Sequence, residues 1–162
     1  MHPLAKLLLI GLLGIASSSM AQPQASYKTQ IAALLQQTAA PEGVVFEIVN
    51  RDKHYLDWAL PEAQRLSSQL RHKFPLLDIV IVSHGSEMFA LTKQNLASNP
   101  QLNSLLQSLA IQNIDLHVCG TLAENRNVEA EAFSELVDVA AEGPAQINDY
   151  IKLGYLRIKL VK

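Results

Sequence analysis

Apolar positions along this chain alternate between two periods. From Ser26 to Thr38, Ile31, Leu34 and Leu35 recur at helical spacing, and Ala39–Gly43, "AAPEG", closes the segment. Val44–Val49, "VVFEIV", is compact and β-branched and predicts a strand. Ala59, Ala63, Leu66, Leu70 and Phe74 return to a 3.6-residue period, with Pro61 near the helix start and Pro75 ending it. Leu76–Ser83, "LLDIVIVS", is a nearly continuous apolar run, the pattern of a strand covered on both faces. Leu102, Leu105, Leu106 and Leu109 predict another helix, opened by "SNP" at Ser98–Pro100. Ile114–Cys119 reads as the third strand and Leu136–Val139 as a short fourth. Pro144 opens a last helix that Gly154 closes. In Tyr155–Val161, Leu156, Ile158 and Leu160 alternate with Arg157, Lys159 and Val161, which predicts an edge or partly exposed final strand.

Strands separated by helices, with buried central strands, predict an α/β fold. The expectation is a three-layer sandwich around a mostly parallel five-stranded sheet, flavodoxin/Rossmann-like. Such sheets set their chemistry beyond the carboxyl ends of the strands. The second strand runs out into "SHGSE", Ser83–Glu87, and the third into "CGTLAEN", Cys119–Asn125. His84 and Cys119 are therefore the candidate catalytic residues.

The first residues change the setting. Lys6 precedes an uncharged apolar run, Leu7–Ala16, and Ser19 and Ala21 are small residues placed for cleavage after Ala21. This three-part pattern predicts a signal peptide over residues 1–21 and a single domain over 22–162, exported most simply to a bacterial periplasm. The apolar run is too short for a membrane anchor, which needs about 20 residues, and no later stretch is long and apolar enough to span a bilayer. Without the leader, Lys+Arg falls from 13 to 12 against 15 Asp+Glu, a net charge near −3. No block of like charge suggests a nucleic-acid or membrane-surface partner. There is one cysteine, so a disulfide within the chain is excluded.

Three stretches taken in order carry a resemblance. "IVIVSHGSEMFAL", then "IDLHVCGTLAEN", then "VDVAAEGPAQINDYIKLGYLRIKL" resemble the DsrE/DsrF-like sulfur-relay family over roughly Val44 to Leu160. The shared pattern is a strand ending in His-Gly, a later strand ending in Cys, and a closing Gly-Tyr strand. The resemblance implies a small α/β sandwich that forms homo- or hetero-oligomers and carries sulfur as a cysteine persulfide, with Cys119 at the matching position. It also implies sulfur donors and acceptors, proteins or small thiols, as partners. The leader departs from the cytoplasmic relay members, so their partners and tRNA-modifying pathway do not carry over.

The residues leave alternatives open. A sulfur carrier needs a reachable thiolate, and a helix turn after Cys119 would favour one; a lone cysteine equally fills space in a core. His84 either takes a proton from Cys119 or caps the loop backbone. Asp115, His117 and Cys119 share one strand face, yet residues two apart on a strand lie roughly 7 Å apart, so a buried, hydrogen-bonded His117 is the preferred reading over a triad. Cys119, His84 and His117 have no recognised metal-ligand spacing, and the glycines form no phosphate-binding loop, so no metal and no cofactor are expected. Glu87 and Glu124 read as solvated loop charge. Met88, Phe89 and Leu91 read as a helix start packing in the core or at a subunit contact, or lining a pocket. The leading expectation is an exported sulfur carrier or sulfurtransferase-like protein using Cys119 assisted by His84. Its rival is a non-catalytic periplasmic binding or assembly module with a structural Cys119.

Overall fold

The computed structural model describes residues 25–162; the leader expected over residues 1–21 lies outside them. The chain runs α1 (Tyr27–Gln36), β1 (Gly43–Ile48), α2 (Leu56–Lys73), β2 (Asp78–Ser83), a 3-10 turn (Ser86–Leu91), α3 (Lys93–Ala97) and α4 (Pro100–Ile111). It continues through β3 (Asp115–Cys119), α5 (Gly120–Glu124), a second 3-10 turn (Ala130–Ala132), β4 (Asp138–Ala140), α6 (Gly143–Lys152) and β5 (Tyr155–Lys159). The five strands lie in the order β4-β3-β2-β1-β5, and every pairing is parallel.

Helix boundaries follow local chemistry. Ser26 caps α1 through its hydroxyl on Thr29 N, and Asn99 caps α4 on Leu102 N, with Pro100 at the first helical position where no N–H is needed. α2 begins at Leu56, earlier than Pro61 suggests. Pro61 therefore sits inside the helix and leaves the Asp57 carbonyl without its helical donor. At the other end Phe74 closes α2, directly before Pro75.

The two sheet faces are covered unequally. Val44, Phe46, Ile48, Ile79, Ile81, Leu116, Val118 and Ile158 join the apolar sides of α1, α2 and α4 in one large core. On the opposite face Val45, Val80 and Val82 pack against Ile147 of α6, with Tyr150 and Tyr155 at the margin. Helices thus flank both faces, as a sheet with buried central strands requires. No helix among the described residues is long and apolar enough to cross a membrane.

The edges differ from the sequence expectation in detail. β4 starts at Asp138, because the chain is still turning before it: Val137 N donates to Ser134 O at 3.0 Å, and Leu136 is exposed. β5 is an edge strand, with Ile158 and Leu160 buried in the large core and Arg157 and Lys159 turned to the α6 face. Met88 and Leu91 of the "MFAL" segment are fully buried, the core-packing reading, while Phe89 and Ala90 are half-buried against the same core.

Candidate functional site

Cys119 is the last residue of β3, paired with Ala140, and caps the short helix α5. The helix turn expected after it is present, but the Thr121 N–H is already spent on Ala141 O at 3.0 Å. The Thr121 hydroxyl donates to the same oxygen at 2.9 Å. These bonds tie the loop after β3 to the loop after β4. They draw the backbones so close that a Cβ on Gly120 would lie 2.8 Å from Ala140 O. Cys119 is 5% exposed, so the accessible thiol expected from its strand-end position is buried within the subunit.

His84 follows β2 and lies on the same sheet face. Its backbone N–H donates to Ile48 O at 3.0 Å, while its ring does not cap the loop. Instead Nε2 meets Glu47 Oε1 at 2.9 Å. The carboxylate's other oxygen, Oε2, accepts from Arg157 Nε at 2.6 Å. Burial pushes the Glu47 pKa upward, but the hydrogen bonds from His84 and Arg157 outweigh it and hold the group below its ordinary value. The N-terminus of α6 closes over this row. A Cβ placed on Gly143 would lie 2.5 Å from His84 Cβ, 3.2 Å from His84 Cγ and 3.3 Å from Cys119 Cβ. His84 and Cys119 thus flank one glycine, although no hydrogen bond joins them.

Glu87 is not the solvated charge expected of it. The residue is fully buried and organises the loops after β1 and β2. Its Oε1 accepts from Ser83 Oγ at 2.8 Å and Gly85 N at 2.9 Å; its Oε2 accepts from Asn50 N at 2.7 Å. A buried carboxylate survives here because three donors replace its water. Glu124, by contrast, is exposed.

His117 is held apart from the candidate pair. Its Nε2 meets Tyr150 Oη at 3.0 Å, and Asp138 lies 4.0 Å from Nδ1. Burial lowers its pKa, against the opposing pull of Asp138 and Asp115, so the ring is neutral near neutral pH. No hydrogen bond links Asp115, His117 and Cys119 into a triad. Among the described residues no three His, Cys, Asp or Glu side chains gather to hold a metal ion. A cavity of about 740 Å³ between Phe89, Lys93, Arg126 and Glu129 contains neither Cys119 nor His84.

Glu47 and Gly143 were not singled out in the sequence, and Arg157 was read only as an outward position of the last strand. For Glu47 a signal existed: it is the one charged residue in "VVFEIV", a strand otherwise fit for burial on both faces. Gly143 had none beyond its place before Pro144.

Comparison with known proteins places this arrangement in context. The chain is similar to the MTH1491 protein of unknown function from Methanobacterium thermoautotrophicum, with 18% identity, TM-score 0.60, and 72% of this chain and 97% of that one covered. The ychN protein from E. coli superposes with TM-score 0.53 at 15% identity, over 73% of this chain and 99% of that one. Protein BT1422 of unknown function from Bacteroides thetaiotaomicron gives 0.51 at 15%, over 74% and 95%. At these identities the likeness concerns the fold. No curated protein matches the chain. The sequence model of the DsrE/DsrF-like family, however, matches residues 15–160, which takes in every strand and the loops that carry His84 and Cys119. The chain belongs to the DsrE/DsrF-like family, a membership that suggests a role in sulfur relay.

Proposed function

We propose that this protein is an exported sulfur carrier that relays sulfur as a persulfide on Cys119, working in the periplasm after loss of residues 1–21. One observation carries the reading: the only thiol ends a strand beside a histidine whose ring is held by a buried carboxylate. In the loading step His84 accepts the Cys119 proton, and the thiolate attacks the terminal sulfur of a donor persulfide, R–S–SH. The new S–S bond leaves Cys119–S–SH, the donor's S–S bond breaks, and RS⁻ departs to take the proton from His84. Oxidation levels balance with no further oxidant. Delivery to an acceptor thiol repeats the exchange in the other direction. The partners are a donor and an acceptor, proteins or small thiols, and the working form is a homo-oligomer. Because Cys119 is 5% exposed, loading requires a local opening over the thiol, for which the first turn of α6, packed through Gly143 beside the Cys119 Cβ, is the proposed element.

That same burial favours a second reading, a non-catalytic binding or assembly module in which Cys119 only packs. Freshly reduced protein incubated with a persulfide donor decides between them. The carrier gains the mass of one sulfur atom, lost again on reduction, and Cys119→Ser gains none. A thiol untouched by donors and by small alkylating agents in the native state sinks the carrier and leaves the binding module.

A further inference from the structure

Glu47 is a carboxylate in the middle of a sheet, 3% exposed, with both oxygens engaged. An ionised carboxylate only accepts hydrogen bonds. The ring nitrogen facing it must therefore carry hydrogen, which places the His84 proton on Nε2. A neutral imidazole then keeps Nδ1 as an acceptor. His84 Cβ and Cys119 Cβ lie 2.5 Å and 3.3 Å from the position that a Cβ on Gly143 would take, so the ring and the thiol share one face of the sheet beneath the start of α6. No described group is hydrogen-bonded to Nδ1, and no buried side-chain nitrogen or oxygen among the described residues lacks a partner, so Nδ1 is not fully buried and its acceptor position is unoccupied.

Arg157 completes the logic. A lone carboxylate beside a histidine favours the doubly protonated imidazolium, which has no acceptor at all. The Arg157 guanidinium balances the Glu47 charge and so weakens that preference. Other charged groups around His84 are Lys159 on β5, Glu87 in its own loop and Glu142 at the exposed start of α6. Lys159 makes no ion pair among the described residues, Glu87 is committed to three other donors, and Glu142 is exposed, so none replaces the Glu47–Arg157 pair.

We propose that Glu47, held by Arg157, is a positioning residue that fixes the His84 proton on Nε2 and keeps Nδ1 as the acceptor for the Cys119 thiol. The inference rests on the sulfur-carrier reading for what the acceptor serves, but its geometry is tested separately. Protein labelled with ¹⁵N-histidine reports which ring nitrogen is protonated, and iodoacetamide reports the reactivity of Cys119 in parallel with sulfur uptake. Wild-type His84 shows a protonated Nε2 and a bare Nδ1. In Glu47→Gln, which keeps the side-chain volume, the ring shows a mixture of the two neutral forms. Both rates at Cys119 then fall about ten- to a hundred-fold, the usual loss when an orienting partner is removed. Arg157→Met, altered at a partly exposed side chain, is the second variant: His84 becomes protonated on both nitrogens at a pH where the wild type carries one proton. Arg157→Lys restores the wild-type signature. A bare Nδ1 retained in both Glu47→Gln and Arg157→Met, or wild-type alkylation in Glu47→Gln, overturns the proposal. Alkylation that responds to Glu47→Gln in a protein that takes up no sulfur supports the positioning role and refutes the carrier. A thiol inert to both reagents in the wild type overturns the two together.

Discussion

Gly143→Ala is the sharpest probe of how α6 covers the candidate site. The added methyl would lie 2.5 Å from His84 Cβ and 3.3 Å from Cys119 Cβ, against an ordinary carbon contact of about 3.5–4.0 Å. His84 cannot yield, because its backbone is bonded to Ile48 and its ring to Glu47. The first turn of α6 must therefore back away by about 1 Å. Ile147, one turn on, then loses part of its seat on Val45, Val80 and Val82. Overpacking of this kind costs about 1–3 kcal/mol. Exchange of Gly for Ala in a helix returns less than about 1 kcal/mol, and less still in a first turn. The expected net loss is about 1–2 kcal/mol, or about 3–7 °C in Tm for a domain of this size. Thermal and urea denaturation measure it, with the urea m-value unchanged. Alkylation of Cys119 should quicken, since the displaced turn uncovers the thiol. A Tm equal to or above the wild type, with unchanged alkylation, would refute the packing of α6 on these side chains.

Glu87→Gln puts an amide donor against the Asn50 N–H and loses a charge-assisted bond, so a destabilisation of about 2–4 kcal/mol is expected in urea; a change under about 0.5 kcal/mol would show that the carboxylate does not organise these loops. Acid should weaken the fold in two steps. The lowered His117 pKa means that the unfolded chain takes up a proton first as pH falls below 6.5, and the lowered Glu47 pKa does the same below 4.5. Urea midpoints measured from pH 8 to about pH 2.5 should fall accordingly, Glu47→Gln should flatten the part below pH 4.5, and a flat wild-type profile would contradict both assignments. N-terminal sequencing of protein recovered from the periplasm should begin at Gln22; an intact Met1 on a cytoplasmic species would end the export reading. Light scattering on the mature protein should give more than one subunit, and a clean monomer at micromolar concentration would count against assembly.

What the sequence determined by itself was the architecture. Periodicity reports which side of each element is apolar, and burial of that side is the dominant force in folding. Hence "LLDIVIVS" could be read as a covered strand, the alternation of Leu156, Ile158 and Leu160 as an edge, and "SNP" as a helix start. The strand-end rule then singled out His84 and Cys119 from local pattern alone. His117 was legible as a ring largely covered on a helix-packed strand face, although its hydrogen-bond partner Tyr150, 33 residues on, was not.

Tertiary structure decided which polar groups meet. Glu47 reaches His84 across 37 residues of sequence and Arg157 across 110, contacts set by parallel register and strand order rather than by any local period. Glu87 looked like loop charge because nothing nearby in sequence shows that Asn50, from the loop after the neighbouring strand β1, will supply a donor. Burial of Cys119 was equally hidden. The covering helix begins 24 residues later at Gly143, and only closure of α6 over β3 brings a glycine between the thiol and the imidazole. Apolar patterning is summed along a single element, whereas pairing of polar groups depends on the relative placement of several, and that is fixed only when the sheet is assembled.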